Sequence, residues 1–195
     1  MKGSKKIFIA CFWLLLSLAC APHKVQRLDA AQSVDLSGVW NDTDSRLVAE
    51  EMTRQIMEAR WHRNFYMDHE REPVVIVGFI QNKTHEHIDT DTFVKDIERV
   101  LIESRRVRVV QNAALRDKVR EERLDQQNFA SPATQKQWGK ELGADFMLLG
   151  SISSVVDVER RSRVIYYQVN LQLTNIETNE VVWIGKKEIK KFVKN

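Results

Sequence analysis

Apolar residues recur at helical spacing through Val48, Met52, Ile56 and Ala59, and Asp42-Thr43-Asp44-Ser45 just ahead supplies N-cap candidates and first-turn acids. These predict a first helix, with Glu50 and Arg54 spaced to pair on its outer face. The period is lost across residues 61–66. Pro73-Val74-Val75-Ile76-Val77-Gly78-Phe79-Ile80 is a β-branched run without alternation, which predicts a central strand covered on both faces. Thr90 or Asp91 starts a second helix, with Phe93, Ile97, Val100 and Leu101 on its core side. Residues 107–110 read as a short strand, and Asn112 begins a third helix through Leu115, Val119 and Leu124, with Arg and Glu crowding its exposed face. Ser131-Pro132 reads as an N-cap with proline at the first helical position, followed by Trp138, Leu142 and a closing Gly143, and predicts a fourth helix.

The last third changes period. Residues 145–158 read as a long strand with Leu148, Gly150, Ile152, Ser154 and Val156 on one face. In the next strand Ile165, Tyr167, Val169, Leu171 and Leu173 face one way. Tyr166, Gln168, Asn170, Gln172 and Thr174 face the other, so one side is buried and the other is wet or partner-facing. Glu177-Thr178-Asn179-Glu180 is a hairpin turn into Val181-Val182-Trp183-Ile184. The order αβαβααβββ predicts an α/β fold: a mixed β-sheet of about five strands, parallel early and antiparallel late, with packed helices.

The N-terminus has a different character. Lys2, Lys5 and Lys6 precede a stretch, residues 7–22, with no charged side chain, too short to span about 30 Å of hydrocarbon before Pro22-His23-Lys24. It reads as a secretory signal. Leu16-Ser17-Leu18-Ala19-Cys20 resembles the lipobox of bacterial lipoproteins, with Ser17 where leucine is usual. An ordinary cleaved signal and an uncleaved anchor are the alternatives. The resemblance implies lipidation of Cys20, and Ala21 behind it implies the outer membrane, facing the periplasm. Three segments follow from this reading: a signal peptide (1–19), a lipidated cysteine with flexible tether (20–36) and a globular domain (37–195).

Processing alters the charge argument. The chain of 195 residues carries 30 Lys+Arg and 27 Asp+Glu, a formal +3. The three signal lysines account for that excess, and the mature chain is neutral, with 27 residues of each sign. It is also polarised: from Glu159 onward eight basic residues face four acids. That asymmetry reads either as lysine protection of a sheet edge or as a docking face for an acidic patch or anionic envelope polymer. Export disfavours nucleic acid. With Cys11 removed, Cys20 is the only cysteine and no intramolecular disulfide forms.

Chemistry-bearing motifs are sparse. No Gly-rich phosphate loop, G-x-S-x-G, H-E-x-x-H or C-x-x-C occurs. His85-Glu86-His87 with Asp89 and Asp91 offers alternate-position metal ligands, but the acids are explained as helix-start residues and the histidines as solvated. Gly150-Ser151-Ile152-Ser153 places hydroxyls on a strand without a histidine partner. No enzyme, cofactor or metal site follows.

Four segments in register resemble the LpoB-type penicillin-binding protein activators. They are Val34-Asp35-Leu36-Ser37-Gly38-Val39-Trp40-Asn41-Asp42-Thr43-Asp44-Ser45, then Phe79-Ile80-Gln81-Asn82-Lys83-Thr84 with His87-Ile88-Asp89-Thr90, then Ala144-Asp145-Phe146-Met147-Leu148-Leu149-Gly150, and finally Thr178-x-Glu180-x-x-Trp183-x-Gly185-Lys186. The resemblance implies an outer-membrane lipoprotein with a fold like the N-terminal domain of TolB. Its implied partner is a class A penicillin-binding protein, a peptidoglycan synthase that it stimulates without being an enzyme itself. Enteric members have a long Pro-rich tether, whereas residues 21–36 are sixteen. The loop Asn82, Lys83, Thr84, His85 and Glu86, beside a strand end, is the candidate partner contact. The alternative is an assembly or secretion-associated scaffold lipoprotein with the same fold. A periplasmic hydrolase or metalloprotein is a third reading.

Overall fold

The computed structural model describes residues 25–29, 32–134 and 139–194. Cys20 and the signal segment lie outside the described residues, as do residues 135–138. The chain divides into two compact units, Met1–Gln32 and Ser33–Asn195, and the second holds every helix and strand described.

Helix α1 (Asp42–Glu58) is capped one residue earlier than the sequence suggests. Asn41 accepts from the Asp44 amide while Asp44 accepts from the Asn41 amide, a reciprocal capping box. Its Val48, Met52 and Ile56 are almost fully buried. Helix α2 (Trp61–His69) fills the stretch where periodicity fails. It buries only Trp61 and Phe65, one turn apart, and both rings pack edge-on against Phe146. Two anchors in nine residues are too few to register as a period, and aromatic packing holds the helix.

Strands β1 (Val74–Asn82) and β2 (Arg108–Val110) flank helix α3 (Thr90–Ser104), which buries Phe93, Val94, Ile97 and Leu101 and leaves Val100 partly exposed. Helix α4 (Ala113–Phe129) is present but buries no residue: Leu115, Val119 and Leu124 are all exposed. It lies beside the three-residue edge strand β2, which offers little apolar surface, and is held by Arg120 and Arg123 on Glu141. The helix expected after Ser131 is not found among the described residues. Residues 131–134 form a turn and 139–143 have no regular structure. The Ser-Pro start signal there opens a turn, closed by Thr134 N–H donating to the Ser131 carbonyl.

Strands β3 (Phe146–Glu159), β4 (Ser162–Asn175) and β5 (Val181–Lys194) complete a five-stranded sheet of order β2-β1-β3-β4-β5. The β2, β1 and β3 ladders are parallel and the β3, β4 and β5 ladders antiparallel, as the element order predicts. Gly150 is required where β4 crosses close to β3, because a side-chain carbon there would collide with the Asn170 carbonyl and Leu171. Ile165, Tyr167, Val169, Leu171 and Leu173 are each at most 2% exposed. The core lies between this face and helices α1 and α3. Asp145 ties strand starts together: its carboxylate accepts from Arg71 through both oxygens and from the Val74 amide. Burial alone would raise that carboxyl, but Arg71 and the Val74 N–H outweigh it and hold it below the usual carboxylate range.

Candidate partner-docking face

The sheet's second face is open across β3 to β5 and the end of β1. Double coverage of β1 holds for Val74 to Val77, all buried, and fails at Phe79, which is 70% exposed. A register shift between Val77 and Ile80 turns Phe79 outward beside Leu149. Leu149 pairs with Gln172, and Gln172 with Ile184, so Phe79, Leu149, Gln172 and Ile184 form one row across four strands. Ile184 is also 70% exposed. Between these apolar side chains lies a depression of about 240 Å³, with Lys83, Ser151 and Asn170 on its rim.

Beyond the row, the face becomes polar. Gln168 donates to Asn170, the Tyr166 hydroxyl donates to Glu188 at 2.6 Å, and Lys186 donates to the same Glu188 oxygen. The Lys186 ammonium, with Tyr166 behind it, holds the Glu188 carboxyl below its usual range. Such a ladder fixes side chains on a wet surface and gives the apolar row a polar border.

The sequence-predicted contact loop divides into two kinds of residue. Asn82 Nδ2 donates to the Glu86 carbonyl, Asn82 Oδ1 accepts from the Thr84 amide and hydroxyl, and Thr84 Oγ1 accepts from the Glu86 amide. These groups are consumed in closing the turn. Glu86 reaches inward: Oε2 accepts from the Trp40 amide at 2.9 Å and Oε1 from the Tyr167 hydroxyl at 2.6 Å. Burial, reinforced by that carboxylate, holds the Tyr167 phenol far above its ordinary value. Lys83 and His85 remain exposed, and only Lys83 borders the depression.

The same commitment of Glu86 removes it from any metal site with His85 and His87, and among the described residues no three His, Cys, Asp or Glu groups converge for one. Ser151 lies beside Asn170 in a depression whose lining includes no imidazole. The C-terminal cations are similarly sorted. Lys191 is internal, bridging Asp35 at 2.7 Å and Asp44 at 2.5 Å. Lys186 is on Glu188, and Arg163 donates to the Ser37 carbonyl. Phe79 and Ile184 were not singled out by the sequence as contacts; Ile184 is marked by being an apolar residue on the polar side of β5, whereas Phe79 carries no such local signal. No described helix is long and apolar enough to cross a membrane.

Comparison with known proteins supplies the family. No curated protein matches the chain by sequence. Among solved structures, the LpoB C-terminal domain from Escherichia coli is similar at 16% identity and a TM-score of 0.46, covering 76% of this chain and 99% of that one. The LpoB C-terminal domain from Salmonella enterica gives 15%, 0.44 and the same coverage. Lipoprotein GNA1162 from Neisseria meningitidis gives 13% and 0.37, over 62% of this chain and 83% of that one. The profile of the peptidoglycan-synthase activator LpoB matches residues 44–189, from the first turn of α1 into β5, and the chain belongs to that family.

Proposed function

We propose that the protein is a lipid-anchored, non-catalytic activator of a class A penicillin-binding protein, held by Cys20 at the outer membrane and facing the periplasm. Membership of the LpoB family is the observation that carries this reading. The docking surface is the open sheet face, with Phe79 and Ile184 as apolar anchors and Lys83 at their border. Buried, well-packed anchors ringed by polar groups are how a modest surface yields specific binding.

The domain acts by contact. Its sheet is a rigid platform, since the face behind the anchors is packed on α1 and α3. Binding energy from such a surface shifts the partner toward whichever of its states fits the surface better. Cross-linking in intact envelopes from a reporter at Ile184 is expected to capture a peptidoglycan synthase, and capture of none overturns the partner. Fatty-acid labelling is expected to mark the wild-type chain and not Cys20→Ala; label retained in that variant overturns the anchor.

A further inference from the structure

The far end of the sheet carries a second surface. Beyond Ser154 strand β3 runs past the helices, and Val155, Val156, Asp157, Val158 and Glu159 are all exposed. Val155 is 65% and Val158 64% exposed, and Phe192 on β5 is 67% exposed. Val155 and Phe192 lie on the open face of the sheet and Val158 on the other, so the tip is apolar on both sides; Arg160 and Arg161 in the turn and Lys190 and Lys194 on β5 are all exposed at the same end. Asp157 and Glu159 are the acids on the same hairpin, so cations predominate at the tip. The polar ladder from Asn170 to Glu188 separates this end from the Phe79 and Ile184 row.

The N-terminal segment is fastened at this same end. Lys191 donates to Asp35 and to the Val39 carbonyl, Arg163 holds the Ser37 carbonyl, and Gly38, at φ +72°, packs against Val193 with no space for a side chain. Arg163 and Val193 are register partners, and Val158 pairs with Arg163, one step from the hairpin turn. The structured domain therefore receives the chain at its cationic, apolar end. Twelve residues separate Cys20 from Ser33, so the reach from one to the other is at most about 45 Å.

We infer that the β3–β4 hairpin end, with the end of β5, rests on an anionic phospholipid surface. This builds on the lipid-anchor reading, which sets the surface within reach. Valine and phenylalanine side chains enter the headgroup boundary while Arg160, Arg161, Lys190 and Lys194 meet lipid phosphates, each cation strengthening adsorption roughly five-fold on a surface rich in anionic lipid. Tethering makes even weak contacts effective, because the short span keeps the local lipid concentration high. The contact would orient the domain and leave the Phe79 and Ile184 row on a wall of the molecule rather than against the bilayer.

Vesicle flotation tests this independently of lipidation. The mature chain carrying Cys20→Ser is mixed with phosphatidylcholine vesicles, with and without phosphatidylglycerol, at low and raised salt. Flotation is expected only with phosphatidylglycerol and is lost as salt rises. The triple change Arg161→Glu, Lys190→Glu, Lys194→Glu is expected to cut it by roughly a hundred-fold or more. Arg105→Glu with Arg108→Glu, at the opposite end where β2 begins, is expected to leave it largely intact. Phe192→Ser is expected to weaken it several-fold without removing its dependence on anionic lipid. Equal flotation of wild type and the triple variant, both shown folded by circular dichroism, overturns the assignment, as does no flotation on anionic vesicles. Failure of the fatty-acid labelling alone would remove the anchor while leaving this surface to stand or fall by flotation.

Discussion

The Tyr167 hydroxyl, wholly buried, donates a 2.6 Å hydrogen bond to Glu86, a residue of the loop that sequence pattern marks as a partner contact. Since the other Glu86 oxygen accepts from the Trp40 amide, one carboxylate joins β4, the β1–α3 loop and the segment leading into α1. Glu86→Ala leaves a buried phenol without its acceptor, and is expected to destabilise the protein by about 2 kcal/mol. Lys83→Ala and His85→Ala are expected to leave stability within about 0.5 kcal/mol of wild type. Chemical denaturation followed by circular dichroism separates the two classes; equal loss in all three would contradict the division of the loop.

Lys191 shows how a residue can look like surface charge and serve the interior. Its Nζ bridges Asp35 and Asp44, and although burial favours the neutral amine, the two carboxylates outweigh it and keep the lysine pKa above its usual value. Lys191→Met leaves Asp44, 4% exposed, without its cation. The expected cost is about 3 kcal/mol, and Lys190→Met, one residue away and exposed, is expected to cost almost nothing. Thermal unfolding of the two variants provides the comparison.

Asp145 makes stability depend on acid pH. Its carboxyl sits below the unfolded value of about 3.9. A carboxyl lowered on folding contributes fully above the unfolded value and loses its contribution as pH falls through the lower folded one. Asp145→Asn is therefore expected to destabilise the protein by about 1 to 2 kcal/mol at neutral pH, and the gap from wild type should narrow once pH falls below about 4. Denaturation midpoints measured across that range check the sign; a gap that widens in acid contradicts it.

Much of the fold could be read from the chain because burial here follows period. The alternation from Ile165 to Leu173 matches a face that is buried at every second residue, and Phe93, Ile97 and Leu101 lie on one stripe of α3. The failures have physical causes. Helix α2 depends on two aromatic residues meeting Phe146, a contact between distant parts of the chain. Helix α4 has an apolar stripe but no core opposite it. In the candidate site, the turn-closing role of Asn82 and Thr84 is local and legible in the sequence, while the role of Glu86 depends on Tyr167, which is remote in sequence. Phe79 was hidden by a register shift that no local pattern announces, and Ile184 joins it in one row only through strand pairing that the sequence does not fix.

The docking face predicts a selective defect. Phe79→Asp and Ile184→Asp replace exposed side chains, so each is expected to change stability by less than about 1 kcal/mol while weakening binding to the synthase at least ten-fold. Lys83→Glu at the border is expected to act mainly on the association rate and to change its salt dependence. Surface plasmon resonance on the purified pair resolves both effects; wild-type affinity in Ile184→Asp would move the interface elsewhere.

The most direct measurement is glycan polymerisation by a purified class A penicillin-binding protein from the same envelope, followed with and without the mature chain. The predicted result is a saturable acceleration by the wild-type protein, lost in Phe79→Asp with Ile184→Asp and retained in Arg105→Glu with Arg108→Glu. An unchanged polymerisation rate at saturating wild-type protein, with binding demonstrated in the same mixture, would contradict the assignment of this domain as a synthase activator.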